Sequence, residues 1–359
     1  MKVTVIGGGN IGTLLAAELS FQGFDTYIYS SKNEGDYQIK VFDNQDNFLF
    51  ESNDIVFTQD IENAVKNSKF IFVTYPPELF VELSKMLDGL LNEGVYLGII
   101  PGSGGVEFVF NNLINNGVIL FGFQRVHSIA RIKEPGRSVY MLGRKESIYV
   151  SVFRNKHEKI IKDFLENLLN MPCHILENYL TITLNPSNQI LHTARLCSMF
   201  KGYKPGVTFS KNILFYATWD DESSDLLIRC DEELQMLCDA ISFDLSGVKS
   251  LKEHYESYTI QDMTKKISNI EAFKNLTSPM ITNDDGLWIP NFKSRYFASD
   301  FPYGLKIIID IAKLYGTPTN NLEHVWNWFL ILTNTKRYFS LKDFGISSKE
   351  EFEDYYNGV

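Results

Sequence analysis

Two segments in the second half of the chain combine side chains that can transfer protons and bind carboxylates. In the first, Asn185 precedes a proline, a pairing typical of a helix N-cap and first helical position. Asn188 and His192 follow it four residues apart, so a continuous helix would project both from one face. An imidazole on such a stripe can act as an acid or base. A helical histidine can also be structural, and the residues alone permit both interpretations.

The second segment contains Arg295 and Asp300. A guanidinium can hold a carboxylate with two parallel hydrogen bonds. A carboxylate can orient an imidazole and stabilise its cationic form. The two residues can instead form an ion pair with each other, so the segment permits a catalytic and a structural interpretation.

A glycine-rich turn near the start of the chain indicates a dinucleotide site. The sequence GGGNIG follows a short β-branched run and opens a helical pattern. In this GxGxxG arrangement the first glycine permits a tight turn, the second lets the backbone approach a pyrophosphate, and the third packs helix against strand. The helix N-terminus then attracts the phosphates. The predicted cofactor-binding residues of this turn are Gly7, Gly9, Asn10, Ile11 and Gly12.

The end of the second predicted strand bears on the choice of cofactor. An NAD site usually has an acidic residue about 20 positions after the glycines, where it binds the ribose 2′-hydroxyl. Here that place is taken by Ser30, followed by Ser31 and Lys32. Two hydroxyls and an ammonium suit a 2′-phosphate better, so we predict NADP as the cofactor, with NAD as the alternative.

Strand-like and helix-like patterns alternate through the first half, which predicts an α/β fold with a mostly parallel, doubly wound sheet. From about residue 180 long helical patterns dominate. We therefore predict a dinucleotide-binding domain over residues 1–180 and an all-helical domain over residues 181–359, with a cleft between them. Open sheets of this kind bind ligands at the carboxyl ends of their strands. This adds the residues after a buried strand to the predicted cofactor site, namely Thr74, Tyr75 and Pro76.

Composition excludes several classes of function. The formal net charge of −10 is a poor match for nucleic acid or an anionic membrane surface. The four cysteines are scattered, which is typical of reduced thiols and gives no metal-ligand spacing, so no metal is expected. No apolar run approaches 18 residues, and a strand begins directly after the first Met, which leaves no room for a leader. We expect a cytoplasmic protein. We also expect His127 and the other remaining histidines to be isolated, outside any candidate catalytic or metal-binding group.

Taken together, these segments resemble the octopine/nopaline (opine) dehydrogenase family. The resemblance covers nearly the whole chain and rests on GGGNIG at 7–12, VTYPP at 73–77, IIPGSGG at 99–105, RIKEPG at 131–136, NPSNQILH at 185–192 and RYFASDFPYGL at 295–305. It differs at Thr193, where the family usually has proline.

The resemblance implies a Rossmann domain, a helical domain and NAD(P)H-dependent reductive condensation of an α-keto acid with an amino acid. It implies that His192 is the acid–base, that Asp300 is its partner and that Arg295 binds substrate. We add Asn188 to the substrate site as a partner for a carboxylate or carbonyl.

Two other functions remain open. One is a ketopantoate-reductase-like or 2-hydroxy-acid reductase that uses NADP. The other is a non-catalytic, NADP-binding redox sensor. The expected partners are a small keto acid and an amino acid, with neither nucleic acid nor membrane, and a homodimer is compatible with the sequence.

Overall fold

The computed structural model of the chain describes residues 1–31, 35–155 and 157–358. They form two compact units, one up to residue 182 and the other from residue 183. The first is built around a mostly parallel sheet and the second is mainly helical, which confirms the predicted fold class.

The first unit contains a nine-stranded and a four-stranded sheet. Its strand sequences are rich in Val, Ile, Phe and Tyr, which fit a pleated, buried surface. The strands are β1 (Lys2–Ile6), β2 (Asp25–Tyr29), β3 (Gly35–Tyr37), β4 (Lys40–Phe42), β5 (Phe48–Glu51), β6 (Ile55–Thr58), β7 (Phe70–Val73), β8 (Tyr96–Ile99), β9 (Ile119–Phe123), β10 (Ser128–Glu134), β11 (Ser138–Arg144), β12 (Ile148–Val152) and β13 (Cys173–Ile175).

The large sheet has the order β13-β12-β9-β8-β7-β1-β2-β6-β3. Strand β1 pairs in parallel with β2 on one side and β7 on the other. The chain therefore moves outward in opposite directions from β1, which creates a topological switch point at the carboxyl ends of β1 and β7. Ligands bind at such points in open α/β sheets, so the fold directs attention to the residues that follow these two strands.

The helices of the first unit include one that contacts strands of both sheets. This helix, α1, is buried from Gly12 to Ser20 because the large sheet and the small sheet both pack against it. The helices are α1 (Asn10–Phe21), α2 (Ile61–Val65), α3 (Phe80–Leu87), α4 (Val106–Val109), α5 (Asn111–Asn115), α6 (Glu158–Leu169) and α7 (Leu180–Thr183), the last at the boundary with the second unit.

The small sheet has the order β10-β11-β4-β5. Strands β4 and β5 form the antiparallel hairpin that the alternation around residues 44–47 suggests. Strand β10 was not expected, because residues 131–136 stood out only as a motif. It pairs antiparallel with β11 along its length, with register shifts.

The second unit consists mainly of helices that bury an apolar face. Helix α15, for example, buries Leu322, Val325, Trp326 and Phe329, as the helical spacing predicts. The helices are α8 (Pro186–Gln189), α9 (Leu191–Met199), α10 (Asp221–Ala240), α11 (Leu251–His254), α12 (Ile260–Ser268), α13 (Arg295–Ala298), α14 (Lys306–Tyr315), α15 (Asn320–Thr333) and α16 (Lys349–Asn357).

One detail of this unit corrects the sequence-based prediction. It is not all-helical, because β14 (Met280–Thr282) and β15 (Trp288–Pro290) form an antiparallel pair. The segment Phe301–Leu305, ahead of α14, is a π-helical turn with a proline in its first turn. None of the helices in the described part of the chain is both long enough and apolar enough to cross a membrane.

Candidate active site

The turn after β1 is held in shape by two glycines and a threonine. Gly7 has a φ of 119°, a left-handed conformation that favours glycine, and a Cβ there would lie 2.5 Å from Thr74 Oγ1. A Cβ on Gly12 would lie 1.8 Å from the Gly7 carbonyl oxygen. The Thr74 hydroxyl donates to the Gly7 carbonyl oxygen at 3.2 Å. Predicted residues from the ends of β1 and β7 thus meet at the switch point.

Gly9 precedes α1 and differs from these two glycines. Its φ of −82° and ψ of −169° are accessible to any residue, and a Cβ built there meets no atom of the described residues within 4 Å. The described part of the fold therefore does not require glycine at this position. Among the described residues no side chain caps the helix, and its first amides have no partner within the helix. Open space beside an uncapped helix N-terminus fits a pyrophosphate, so the turn passes a structural test for a dinucleotide.

The other predicted residues of this site have individual surroundings. The Asn10 Oδ1 accepts a hydrogen bond from the Ile132 amide at 2.8 Å, so this side chain ties α1 to β10. Ile11 is half-buried. Tyr75 and Pro76 are half-buried directly after Thr74, and burial, with smaller contributions from Tyr29 and Glu82, raises the pKa of Tyr75.

The residues predicted to select the cofactor lie after β2. Ser30 is buried, its amide donates to the Thr58 carbonyl oxygen, and its hydroxyl lies beside Gly8. Ser31 is exposed. Lys32 lies outside the residues that the structure describes.

The helix that carries His192 is interrupted, which corrects the prediction of a continuous polar stripe. Asn185 caps α8 by accepting from the Ser187 amide at 3.0 Å, as predicted. The helix breaks at Ile190, and α9 begins at Leu191. The Thr193 hydroxyl donates to the Gln189 carbonyl oxygen at 2.6 Å, so this threonine bridges the break. Asn188, which is half-buried in α8, and His192 in α9 thus belong to separate helices.

His192 and Asp300 form a buried pair in the second unit. The distance between His192 Nδ1 and Asp300 Oδ2 is 2.8 Å, and the two residues are 6% and 8% exposed. An ionised carboxylate only accepts hydrogen bonds, so it selects the tautomer with the proton on Nδ1 and leaves the Nε2 lone pair to accept another proton. This arrangement is suited to acid–base chemistry at Nε2.

Aromatic side chains surround the imidazole. The rings of Phe215 and Tyr296 lie 5.6 and 4.5 Å from the His192 ring, centroid to centroid. The Tyr216 hydroxyl lies 3.3 Å from His192 Nε2. These neighbours limit access of water to the imidazole and fix its orientation.

Arg195, one helical turn after His192, stabilises a neighbouring segment of the chain. It is 1% exposed, and its guanidinium donates to the carbonyl oxygens of Phe215 and Thr218 at 3.1 and 2.7 Å. It also forms an ion pair with Asp220, the cap of α10. Its charge and hydrogen bonds therefore hold the segment that carries Tyr216.

Arg295 is exposed at the first position of α13. In the described part of the chain it forms no ion pair, and Asp300 contacts His192 instead. The structural alternative of an Arg295–Asp300 ion pair is therefore wrong. No cluster of His, Cys, Asp and Glu suited to a metal ion occurs among the described residues.

Both units of the chain are similar to known dehydrogenases. The family model described as NAD/NADP octopine/nopaline dehydrogenase, alpha-helical domain, matches residues 175–333, which include His192 and Asp300. The second half of the chain is therefore similar to the helical domain of the octopine/nopaline dehydrogenase family, as its sequence motifs indicate. Together with the relatives described next, this similarity indicates an NAD(P)-dependent oxidoreductase of the opine dehydrogenase type. A second model, of the NAD-dependent glycerol-3-phosphate dehydrogenase N-terminus, matches residues 2–113.

Individual family members match along most of their length. Octopine dehydrogenase of Mizuhopecten yessoensis is 25% identical, with 91% of this chain and 89% of that protein covered. Tauropine dehydrogenase of Arabella iricolor is 24% identical, with 91% and 90% covered. The fold matches a solved octopine dehydrogenase complex with NADH and L-arginine at a TM-score of 0.84 and 20% identity, covering 100% of this chain and 98% of that one.

Sequence reasoning missed one residue in this opine dehydrogenase-type site. Tyr216 is separated from His192 by 24 positions, and no helical or strand spacing connects the two. The only local signal is the aromatic cluster of Phe215, Tyr216 and Trp219, which by itself is typical of a core. The contacts by which Arg195 holds this segment were not predicted either.

Proposed function

We propose that the chain catalyses NAD(P)H-dependent reductive condensation of an α-keto acid with the amino group of an amino acid, and the reverse oxidation. The observation that carries this proposal is the buried His192–Asp300 pair within the segment that the family model matches. A non-catalytic sensor of NADP would not need such a pair.

The protons of the proposed reaction balance with His192 as the only added acid. The amine attacks the keto carbon, and one of its protons moves to the keto oxygen. That oxygen leaves as water with the proton from His192, and hydride addition to the resulting iminium ion forms the secondary amine. The bound nicotinamide cofactor supplies the hydride. His192 gives a proton to the departing oxygen and takes one in the reverse direction, while Asp300 holds the Nδ1 proton and stabilises the imidazolium. Acid–base assistance of this kind contributes about 10²–10⁴-fold to rate.

Substrate binding is assigned to Arg295 and Asn188. Arg295 is exposed and has no ion-pair partner among the described residues, so its fork is available for a substrate carboxylate. Asn188 can donate to a carboxylate or carbonyl through its amide. Both assignments are proposals about individual residues.

The cofactor is held, in this proposal, by the turn after β1. The first amides of α1 and the space beside Gly9 receive the pyrophosphate, with Thr74, Tyr75 and Pro76 at the adjacent strand end. We assign NADP rather than NAD. The neutral Ser30 occupies the position at which NAD sites usually have an acid that binds the ribose, and such an acid would repel a 2′-phosphate.

The reaction is tested by measuring NADPH oxidation in a matrix of keto acids against amino acids. We expect consumption to require both substrates. Mass spectrometry should show a product lighter than the sum of the two by one oxygen. Reactions without amine and reactions of His192→Ala are the controls. A 2-hydroxy acid formed equally well without amine would support a ketopantoate-reductase-like enzyme instead, and absence of turnover with every pair would contradict the proposal.

Cofactor choice is tested at Ser30. We expect NADPH to bind more tightly than NADH, and Ser30→Asp to reverse the order because a carboxylate accepts from a 2′-hydroxyl and repels a 2′-phosphate. Ser30→Ala, which adds no charge, should weaken the preference without reversing it. Fluorescence titration with both cofactors measures the effect. Tighter binding of NADH to the unmodified protein would contradict the assignment.

A further inference from the structure

The nitrogen of His192 that must exchange a proton already contacts a hydroxyl. Nδ1 is engaged by Asp300, so Nε2 is the reacting atom, and Tyr216 Oη lies 3.3 Å from it. A tyrosine hydroxyl can donate to a lone pair and accept from an N–H. It can therefore serve both protonation states of the imidazole.

Tyr216 is held at this position from three sides. Its ring stacks on Phe273 at 4.7 Å and on Trp219 at 6.3 Å, centroid to centroid. The amide of the preceding residue, Phe215, donates to the Leu276 carbonyl oxygen at 2.8 Å. Arg195 braces the same segment through the carbonyl oxygens of Phe215 and Thr218. The hydroxyl is thus fixed by packing and does not depend on its contact with His192.

The hydroxyl also stays protonated. Burial, reinforced by Tyr296, Tyr255 and Asp300 and opposed by Arg295, raises the pKa of Tyr216 well above its usual value. A phenol of this kind does not compete with His192 as the base. It can still pass a proton, provided that it gains one as it gives one up.

We propose that Tyr216 is a catalytic residue that relays the proton between substrate and His192. This inference rests on the proposed function, in which His192 is the acid–base. In the oxidative direction a substrate O–H or N–H gives its proton to Tyr216 Oη and keeps the electron pair, while the Oη proton moves to His192 Nε2. The imidazole becomes an imidazolium paired with Asp300, and the tyrosine ends neutral. In the reductive direction both transfers run backwards.

The test compares Tyr216→Phe with Tyr258→Phe. The first removes only the hydroxyl and keeps the stacked ring, and the second removes a hydroxyl from a residue that is 70% exposed. We expect Tyr216→Phe to lower kcat by about 10²-fold in both directions, with cofactor Kd unchanged. The wild-type rate in H2O–D2O mixtures should depend on deuterium content along a curve, since two protons move together. For Tyr216→Phe that dependence should be linear. Tyr258→Phe should behave as wild type.

Two results would overturn the relay. One is a kcat of Tyr216→Phe close to wild type. The other is a linear deuterium dependence for the wild type, which would leave Tyr216 only to orient His192. A separate measurement distinguishes failure of the relay from failure of the proposed function. The ¹⁵N spectrum of labelled histidine in the free protein should show His192 Nε2 accepting a hydrogen bond that Tyr216→Phe abolishes. An unchanged spectrum refutes the relay even if no substrate pair is turned over.

Discussion

The two units each contain a buried histidine paired with a carboxylate, and the two pairs differ in their surroundings. In the first unit His127 Nε2 lies 2.7 Å from Glu18 Oε2. In the second, His192 Nδ1 lies 2.8 Å from Asp300 Oδ2. Distance and burial alone would assign both pairs the same role.

The surroundings separate them. Glu18 also forms an ion pair with Arg144 at 2.5 Å, so its carboxylate contacts two partners. His127 is fully buried, and its Nδ1 has no hydrogen-bond partner among the described residues. The second nitrogen of His192 faces the Tyr216 hydroxyl. The two histidines therefore cannot be distinguished by their carboxylate contacts, but they differ in the surroundings of the other ring nitrogen. We interpret the Glu18 pair as structural.

The largest effect is expected on the stability of the protein when Glu18 is replaced. Replacing Glu18 with Gln should lower the free energy of unfolding by about 3–5 kcal/mol, since it removes the buried carboxylate that contacts both the His127 imidazole and the Arg144 guanidinium. Asp163→Asn, which breaks the exposed pair with Lys159, should change stability little. Urea unfolding of both variants measures the difference. A loss for Glu18→Gln no larger than that of Asp163→Asn would contradict the structural role.

The same pair predicts a pH dependence of stability. Burial alone would raise the pKa of Glu18, but His127 and Arg144 hold it below its usual value. The stability that the carboxylate contributes is therefore present above the unfolded pKa of about 4.3 and is lost as pH falls through the lower folded value. Wild-type stability should fall more steeply with acid than that of Glu18→Gln. Parallel curves from urea unfolding at several pH values would refute this linkage.

In the second pair, Asp300→Asn should act on turnover. The amide keeps the size of the side chain but loses the charge that stabilises the imidazolium, so kcat should fall by about 10²-fold. Combined with His192→Ala, the loss should be no greater than that of His192→Ala alone, since groups that act as a unit share one loss. Steady-state kinetics of both single variants and the double variant measure this. Additive losses would show that the two residues act separately.

The smallest effect is expected at Arg295. An ammonium does not reproduce the two-pronged contact of a guanidinium with a carboxylate, so Arg295→Lys should raise the substrate KM about tenfold with little change in kcat. Lys293→Arg, at an exposed neighbouring position, is the matched control and should leave KM unchanged. If Arg295→Lys lowered kcat and left KM unchanged, Arg295 would have a role other than carboxylate binding.

How much of the structure the sequence predicts depends on how far apart in the sequence the interacting residues lie. The glycine turn was predictable because its spacing is local and its neighbours are a strand and a helix. The break of the helix at Ile190 was not predictable. The Thr193 hydroxyl donates to the Gln189 carbonyl oxygen across the break, and the spacing of residues in the sequence does not indicate that bond. Strand β10 was missed because residues 131–136 stood out only as a motif, and because β10 and its partner β11 belong to the small sheet and not to the large parallel sheet that the sequence predicts.

Interactions between distant residues were predictable only through the family resemblance. His192 and Asp300 are 108 positions apart, and the resemblance gave their pairing in advance. His127 and Glu18 are 109 positions apart and belong to none of the recognised segments. His127 therefore has a carboxylate partner that was not expected from the sequence. Tyr216 was not predicted for the same reason. It lies outside the recognised segments, and only the folded chain brings its hydroxyl close to His192.

The most direct test of the account is a paired measurement on His192→Ala and His127→Ala, in which kcat, cofactor Kd and the free energy of unfolding are determined for each. His192→Ala should lower kcat by about 10²-fold or more with cofactor Kd nearly unchanged, because the proposed pyrophosphate site lies in the first unit. His127→Ala should lose stability and keep kcat near the wild-type value under conditions in which it is folded. Near-wild-type turnover of His192→Ala would contradict the account and make His192 a structural histidine.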